Sequence, residues 1–339
     1  MTSSKASLLA NKIQHLPFGQ TSIVDLVEGM GNTAFQARNL ARAAAIYVEM
    51  LRDEDCAIIL CLAGSLVSAG MKELLIGLLE HNYVDAIVST GANIVDQDFF
   101  EALGFSHYQG SVTADDLALQ GEGIDRIYDT YIDEEQLRVC DNTICELADS
   151  LAPQAYSSRE FIQEMGRYLQ RKRPQARSLV LSAFQNHCPI FCPAFSDCSA
   201  GFGLVMHQVK RPHTHLSIDS VKDFRELTML KIKSQETGLL MMGGGVPKNF
   251  AQDIVVAAEL LGEKAALHKY ALQITVADER DGGLSGSTLK EACSWGKVAL
   301  TYEQMVFAEA SLALPLLVNY AAAKMSTSGR RRRGLSNLL

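Results

Sequence analysis

The chain reads as an α/β protein: a single large domain around a mostly parallel sheet, preceded by N-terminal helices. Three observations predict this class. Short apolar runs alternate with longer amphipathic ones, the pattern of strands and crossover helices. Several of the short runs end in turns of small residues, as strands do when they feed the next helix. No self-similar period at solenoid spacing competes with that pattern.

The elements follow in order. The first fifty residues, with "NTAFQARNLARAAAIYVEML", read as helices packed against the sheet. "CAIILCLAG" (56–64) reads as a buried strand and "SAGMKELLIGLLEHN" (68–82) as its helix; "VDAIVSTGAN" (84–93) is a second strand ending in a polar turn. Residues 120–175, carrying "DTYIDEEQ" and "QRKRPQARS", are polar and read as an insertion covering one sheet edge. Further strands are expected at "SLVLSAF" (178–184), "CPIFCPA" (188–194), "HLSID" (215–219), "GLLMMGGG" (238–245) and "YALQITVA" (270–277). "KNFAQDIVVAAELLGEK" (248–264) has the apolar spacing of a helix. The tail "STSGRRRRGLSNLL" is a charge run that reads as a disordered, solvated end. The expected division is an extension over 1–30, a domain over 31–325 and a basic tail over 326–339.

Composition bounds the function. With 339 residues, 47% hydrophobic and 21% charged, this is an ordinary soluble globular chain. A net charge of −8 argues against a nucleic-acid surface and fits a small cationic substrate. The eight cysteines include no CxxC pair, so no zinc ribbon or thioredoxin-like site is expected. Cys188, Cys192 and Cys198 read as buried free thiols and no metal is expected; reduced cysteines fit a cytoplasmic address. No segment approaches the ~20 apolar residues of a membrane span, and the N-terminus is too polar for a secretory signal.

The turns carry the first functional signal. "CLAGSLVSAG", "STGAN", "SDCSAG" and "MMGGGVPK" all lie at the carboxyl ends of expected strands, where an open parallel sheet binds its ligand. Any one is a common structural economy. Together they argue for an extended ligand with phosphates, held by backbone N–H groups and helix N-termini. There is no G-x-G-x-x-G fingerprint. In "GGGVPKN" the glycines are expected to let the backbone approach the ligand, so a valine at Gly244 should occupy ligand space.

The second signal is acidic and aromatic. "VADERDGGLSGSTLKEACSWGK" gathers Asp278, Glu279, Asp281 and Glu291 in fourteen residues. A solvated acidic loop would look the same. A polyamine, however, needs carboxylates spaced along a narrow channel and an aromatic wall for its methylenes. Trp295, the only tryptophan, and Lys297 follow at once, between a helix-like and a strand-like run. Alone, that pair reads as a core indole and a solvated lysine.

"EACSWGK" followed by "VFAEASLALPLLV" resembles the C-terminal signature of deoxyhypusine synthase and its homospermidine synthase relatives. "AFQARNLARA", "SLVSAGMKELL", "VDAIVSTGAN", "NHCPIFCPAFSDCSAG" and "MMGGGVPK" fall in that family's order over roughly residues 30–325. The resemblance implies a Rossmann-like NAD-binding α/β domain, assembled as a homotetramer with active sites shared between paired subunits. It implies removal of a hydride by NAD from the carbon next to an amine, an imine passed to an enzyme lysine, and its transfer to an acceptor amine. Lys297 then stands as the nucleophile, and Asp96, Glu291 and Trp295 as substrate contacts. For NAD it points to Ser65, Ser68, Thr90, Gly91, Asp197, Gly243, Gly244, Asp281, Ser285, Glu309 and Ala310.

Three positions depart from the eukaryotic members, which have aspartates where this chain has Phe202 and Leu284, and a histidine where it has Asn249. The aspartates grip substrate amines at about 1.5–3 kcal/mol each, and the histidine is a candidate proton shuttle. With the nucleophile and NAD turns kept and the grip altered, the expectation is aminobutyl transfer to a small amine, of homospermidine synthase type, using putrescine or spermidine. A deoxyhypusine synthase acting on a protein lysine is the alternative. A non-catalytic NAD-binding protein is the third reading.

Overall fold

The computed structural model describes residue 5, residues 9–326 and residues 329–339. Among these, six strands form one sheet: β1 (Cys56–Leu62), β2 (Ala86–Ser89), β3 (Ile190–Phe191), β4 (Glu236–Met242), β5 (His268–Thr275) and β6 (Val298–Phe307). Their order is β3-β2-β1-β4-β5-β6, and every pairing is parallel. This is the doubly wound order of dinucleotide-binding domains, with its switch point between β1 and β4.

The central strand β1 is apolar throughout because both its faces are covered, whereas the edge strand β6 leaves Leu300, Thr301 and Tyr302 exposed. In β1, Ile58, Leu60 and Leu62 join one core while Ala57, Ile59 and Cys61 join the other. The first core includes α1 (Ile23–Gly31) and α2 (Phe35–Arg52), through Val27, Leu40, Ala44 and Tyr47, and the apolar residues of α11 (Ala310–Met325). The second holds Leu227 and Leu230 of α8 (Ser220–Lys233), Ala251 and Ile254 of α9 (Gly245–Leu260), and Leu289 of α10 (Leu289–Ser294). The expected helices at 68–82 and 248–264 are present as α3 (Lys72–Glu80), with a wide turn over Val67–Met71 before it, and as α9. No helix of the described residues is long and apolar enough to cross a membrane.

Four expectations are corrected. "SLVLSAF" is not a strand but helix α6 (Leu179–Gln185). Ser178 caps it, and the buried Asp98 carboxylate accepts from Leu179 and Val180 N–H, a contact no local pattern announces. "HLSID" contributes only Ser217–Ile218, paired with Ala155–Tyr156 outside the main sheet. The stretch 120–175 is more than an edge cover. Its helices α4 (Glu134–Asp149) and α5 (Ser158–Lys172) bury Cys140, Ile144, Phe161 and Met165 in the first core. The basic tail, where described, is docked. Arg330 pairs with Asp85 and donates to Cys56 and Asn82 carbonyls, and Leu335 is buried. Of the expected extension, residues 1–4 and 6–8 lie outside the described residues, as do 327–328 of the tail.

Candidate active site

The turns at the carboxyl ends of the strands interlock. Gly64 follows β1 with φ 67°, and its carbonyl accepts from Thr90 Oγ1 (3.1 Å) and Asn93 Nδ2 (3.0 Å) of the β2 turn. Asn93 Oδ1 accepts from Leu66 N–H, and Gln97 Oε1 from Ser68 N–H, while Ser68 Oγ donates to the Ser65 carbonyl. Asn93 and Gln97 lie in a widened helical segment, Ala92–Phe99, of a kind often found at functional sites. A Cβ on Gly91 would fall 2.4 Å from Cys198 Sγ, which is how closely the turn carrying Asp197 approaches. Ser65, Ser68, Thr90, Gly91 and Asp197 are thus brought together.

Across the switch point, Gly243 has φ 76° and faces Ala63, where a Cβ would come within 2.9 Å of Ala63 Cβ. Gln273 Nε2 donates to the carbonyls of both Gly243 and Ser285, at 3.0 Å each. The loop bearing Asp281 and Ser285 is therefore tied to the glycine turn. At Gly244 a side chain would meet the Ser285 backbone, at 2.4 Å from its Cα. The glycine is required by chain-on-chain packing. Asp281 is exposed and accepts from Gly283 N–H. Glu309 caps α11, whose first residue is Ala310, accepting from Ser311 N–H, Ser311 Oγ and Leu312 N–H. Burial raises the Glu309 pKa, but these bonds outweigh it and the carboxylate sits below its ordinary value.

Lys297 lies between α10 and β6. Its N–H closes α10 on the Ala292 carbonyl, and its own carbonyl accepts from His268 of β5. The side chain turns onto α9. Nζ is 2.5 Å from Asp253 Oδ1, 3.5 Å from Asn249 Oδ1, and 5.4 Å from the Trp295 ring centroid. Asn249 Nδ2 donates to the other Asp253 oxygen at 2.8 Å. Trp295 is 71% exposed, so it is no core indole, whereas the lysine side chain is only 13% exposed. Beside the cluster runs a groove lined by Val221, Phe224, Val246, Phe250 and Leu284, with Asn249 and Asp253 in its wall.

Asp253 and Lys248 escaped sequence reasoning. Asn249 and Asp253 are four residues apart, so they share a helix face; that spacing was the available signal for Asp253. Lys248, buried under the loop, donates to the Leu284 and Ser287 carbonyls and to Ser287 Oγ. Burial pushes its pKa down to about 8, opposed by Glu291 and reinforced by Lys297. Glu291 itself is exposed and forms a capping box with Thr288, whose hydrogen bonds lower its pKa.

Asp96 is not in this cluster. It accepts from Ser199 N–H at 2.6 Å, at the start of α7 (Ser199–Lys210), and burial raises its pKa to about 6. Its charged neighbours are Asp141 and Asp197. Phe202, one turn along α7, is 66% exposed.

The topology and the interlocked turns define a doubly wound α/β protein with a lysine held against a carboxylate of α9. Sequence comparison makes the assignment specific: the deoxyhypusine synthase family model matches residues 25–321. The chain belongs to that family. It is 62% identical over 336 residues to the deoxyhypusine synthase-like protein of Chlorobaculum parvum, covering 99% of this chain and 96% of the relative. It is 41% identical to the protein named Probable deoxyhypusine synthase 2 of Methanosarcina mazei, covering 92% and 89%. Among solved structures, one assigned to a deoxyhypusine synthase of Entamoeba histolytica superposes with a TM-score of 0.61. That match has 24% identity and covers 91% of this chain and 95% of the other.

Proposed function

We propose that this chain is a NAD-dependent transferase that moves an aminobutyl or related aminoalkyl group between amines through an imine on Lys297. The preferred acceptor is a small amine, so the activity is of homospermidine synthase type with putrescine or spermidine as substrate. The observation that carries the reading is Lys297 itself. A largely buried amine ends on a carboxylate, under an exposed indole and at the edge of an apolar groove. These are the parts an aliphatic amine needs: an apolar wall for its methylenes and a π face for its ammonium.

The residues present fit a dinucleotide at the switch point. Gly64 and Gly243 both carry positive φ, and a Cβ on Gly64 would meet nothing within 4 Å, which leaves open space above the β1 turn. Ser65, Ser68, Thr90, Gly91 and Asp197 on one side, and Gly243, Gly244, Asp281 and Ser285 on the other, would hold NAD there, with Glu309 and Ala310 at the α11 N-terminus. Bound there, NAD would supply the hydride acceptor and donor for the carbon beside the donor amine. Lys297 supplies the covalent hold, Trp295 a wall against the cationic chain, and Glu291 a further carboxylate near the α10 N-terminus.

Phe202 and Leu284, both exposed, favour the small-amine reading, because apolar side chains stand where gripping aspartates would suit a longer, more highly charged amine. The relatives' names favour the alternative, transfer to a protein lysine. A homotetramer with shared sites is part of the proposal. It is supported by Phe202, Val205 and Val209, which form an exposed apolar stripe along α7. Incubation with NAD and labelled putrescine or spermidine, followed by chromatography, tests the whole reading. A labelled secondary polyamine is expected. Label appearing only in an added protein acceptor would establish the alternative, and no transfer to either would overturn both.

A further inference from the structure

We infer that Asp253 is the group that takes the proton from Lys297 and that Asn249 holds it in place for that task. The inference rests on the proposed function, since it assigns a role within that reaction. A lysine attacks an imine carbon only as the neutral amine, so its ammonium proton needs an acceptor within hydrogen-bond reach. Asp253 Oδ1 is 2.5 Å from Nζ. The other carboxylate oxygen is fixed by Asn249 Nδ2 at 2.8 Å, and Asn249 Oδ1 faces Nζ at 3.5 Å. Nucleophile, base and orienting group are thereby in sequence, the arrangement of activated nucleophiles generally.

The neighbouring titratable groups are otherwise engaged. Lys248, on the same helix, is spent on the 284–287 loop. Glu291 caps its own helix through Thr288. His268 of β5 is buried between Thr237 and the Ala251 carbonyl, and burial drives its pKa well below the ordinary value. From α8 the groove receives Ser220, Val221 and Phe224, none of which titrates. Asn249 carries no titratable group, so the acid–base work falls to the carboxylate it orients. Asp253 keeps a 31% exposed side chain, which leaves a proton a path to solvent.

The step balances without a further reagent. Lys297 ammonium and Asp253 carboxylate become amine and carboxylic acid. The lysine nitrogen bonds to the carbon of the donor imine as that carbon's bond to the departing nitrogen breaks. The departing nitrogen takes up two protons, the one held by Asp253 and the one the lysine nitrogen gives up as its double bond to carbon forms, and leaves as an ammonium ion. The positive charge of the protonated donor imine passes to the imine now joined to Lys297.

The test is single-turnover borohydride trapping at Lys297 with NAD and labelled putrescine or spermidine, on the wild-type chain and on Asp253→Asn, Asp253→Glu and Asp253→Ala. Thermal unfolding of each variant confirms that it is folded. Asp253→Asn is expected to slow trapping about a hundredfold or more. Asp253→Glu should keep part of the rate, and added acetate should restore part of it to Asp253→Ala, which a merely structural role would not allow. Wild-type trapping with an equally fast Asp253→Asn, or slow variants that neither glutamate nor acetate improves, would overturn the role of Asp253 alone. A wild-type chain that traps no label at Lys297 would overturn the proposed function and this role with it.

Discussion

The backbone of Ser285 occupies the space beside Gly244: a side-chain carbon on the glycine would lie 2.4 Å from the serine Cα and 3.0 Å from its carbonyl oxygen. Gln273 and Thr275 both donate to that same carbonyl. The loop therefore cannot retreat without losing two hydrogen bonds. Gly244→Ala should cost about 1–3 kcal/mol through overpacking and loosen residues 281–287. Urea denaturation and limited proteolysis read both effects. Wild-type stability with an intact loop would show that the contact yields freely.

Lys297→Ala should abolish borohydride trapping and transfer while leaving NAD binding and fold nearly intact. Asp253 keeps 31% of its side chain exposed, so water can solvate the carboxylate once the lysine is gone, and the cost to stability should stay at about 1–2 kcal/mol. Peptide mapping of the wild-type adduct should place the added mass on Lys297. Equal label on the variant would move the nucleophile elsewhere.

Arg330 and Asp85 are 2.7 Å apart across 245 residues of sequence, with side chains 6% and 2% exposed. Asp85 also accepts from Ile58 N–H at the start of β1. Arg330→Ala leaves that buried carboxylate with only the more distant Arg333, 3.9 Å away, as its cation and should destabilise the fold by about 2–4 kcal/mol, measured by urea denaturation. A change below about 1 kcal/mol would mean that the tail does not hold the sheet.

Asp96 supplies a pH dependence. Burial raises its pKa from 3.8 to about 6 in the folded chain. The folded state therefore binds more protons than the unfolded state between those values. The contribution is favourable below pH 3.8 and is lost as pH rises through 6. Asp96→Asn keeps an acceptor for Ser199 N–H without the charge. It should gain on the order of 2–3 kcal/mol over wild type at pH 7, and the difference should vanish near pH 4. Melting temperatures measured across pH 4–8 check the sign.

Phe202→Asp with Leu284→Asp should move donor preference toward spermidine. Both side chains are exposed, at 66% and 46%, so new carboxylates can ionise in place. One added ammonium contact corresponds to about a tenfold change in the ratio of kcat/KM for spermidine over putrescine. An unchanged ratio in the folded double variant would assign donor choice to other residues. A wild-type enzyme already favouring spermidine and modifying a protein lysine would support the alternative reading.

The sequence by itself determined the α/β class with a mostly parallel sheet, the strands β1, β2, β4 and β5, the small-residue turns after β1, β2 and β4, and the proximity of Trp295 to Lys297. Those features are written in consecutive residues: an apolar run of strand length, a glycine where the backbone must turn, an indole two residues from an amine. Tertiary structure alone decided the rest, because the deciding partners are distant in the chain. "SLVLSAF" becomes a helix through Asp98, some eighty residues earlier, and the arginine tail docks through Asp85. Gly244 is set by Ser285, and Lys297 meets its carboxylate on a helix 44 residues upstream. A short apolar run, a charge run and an aspartate in a helix each have several stable settings. Burial against a particular neighbour selects one of them, and the sheet order supplies that neighbour.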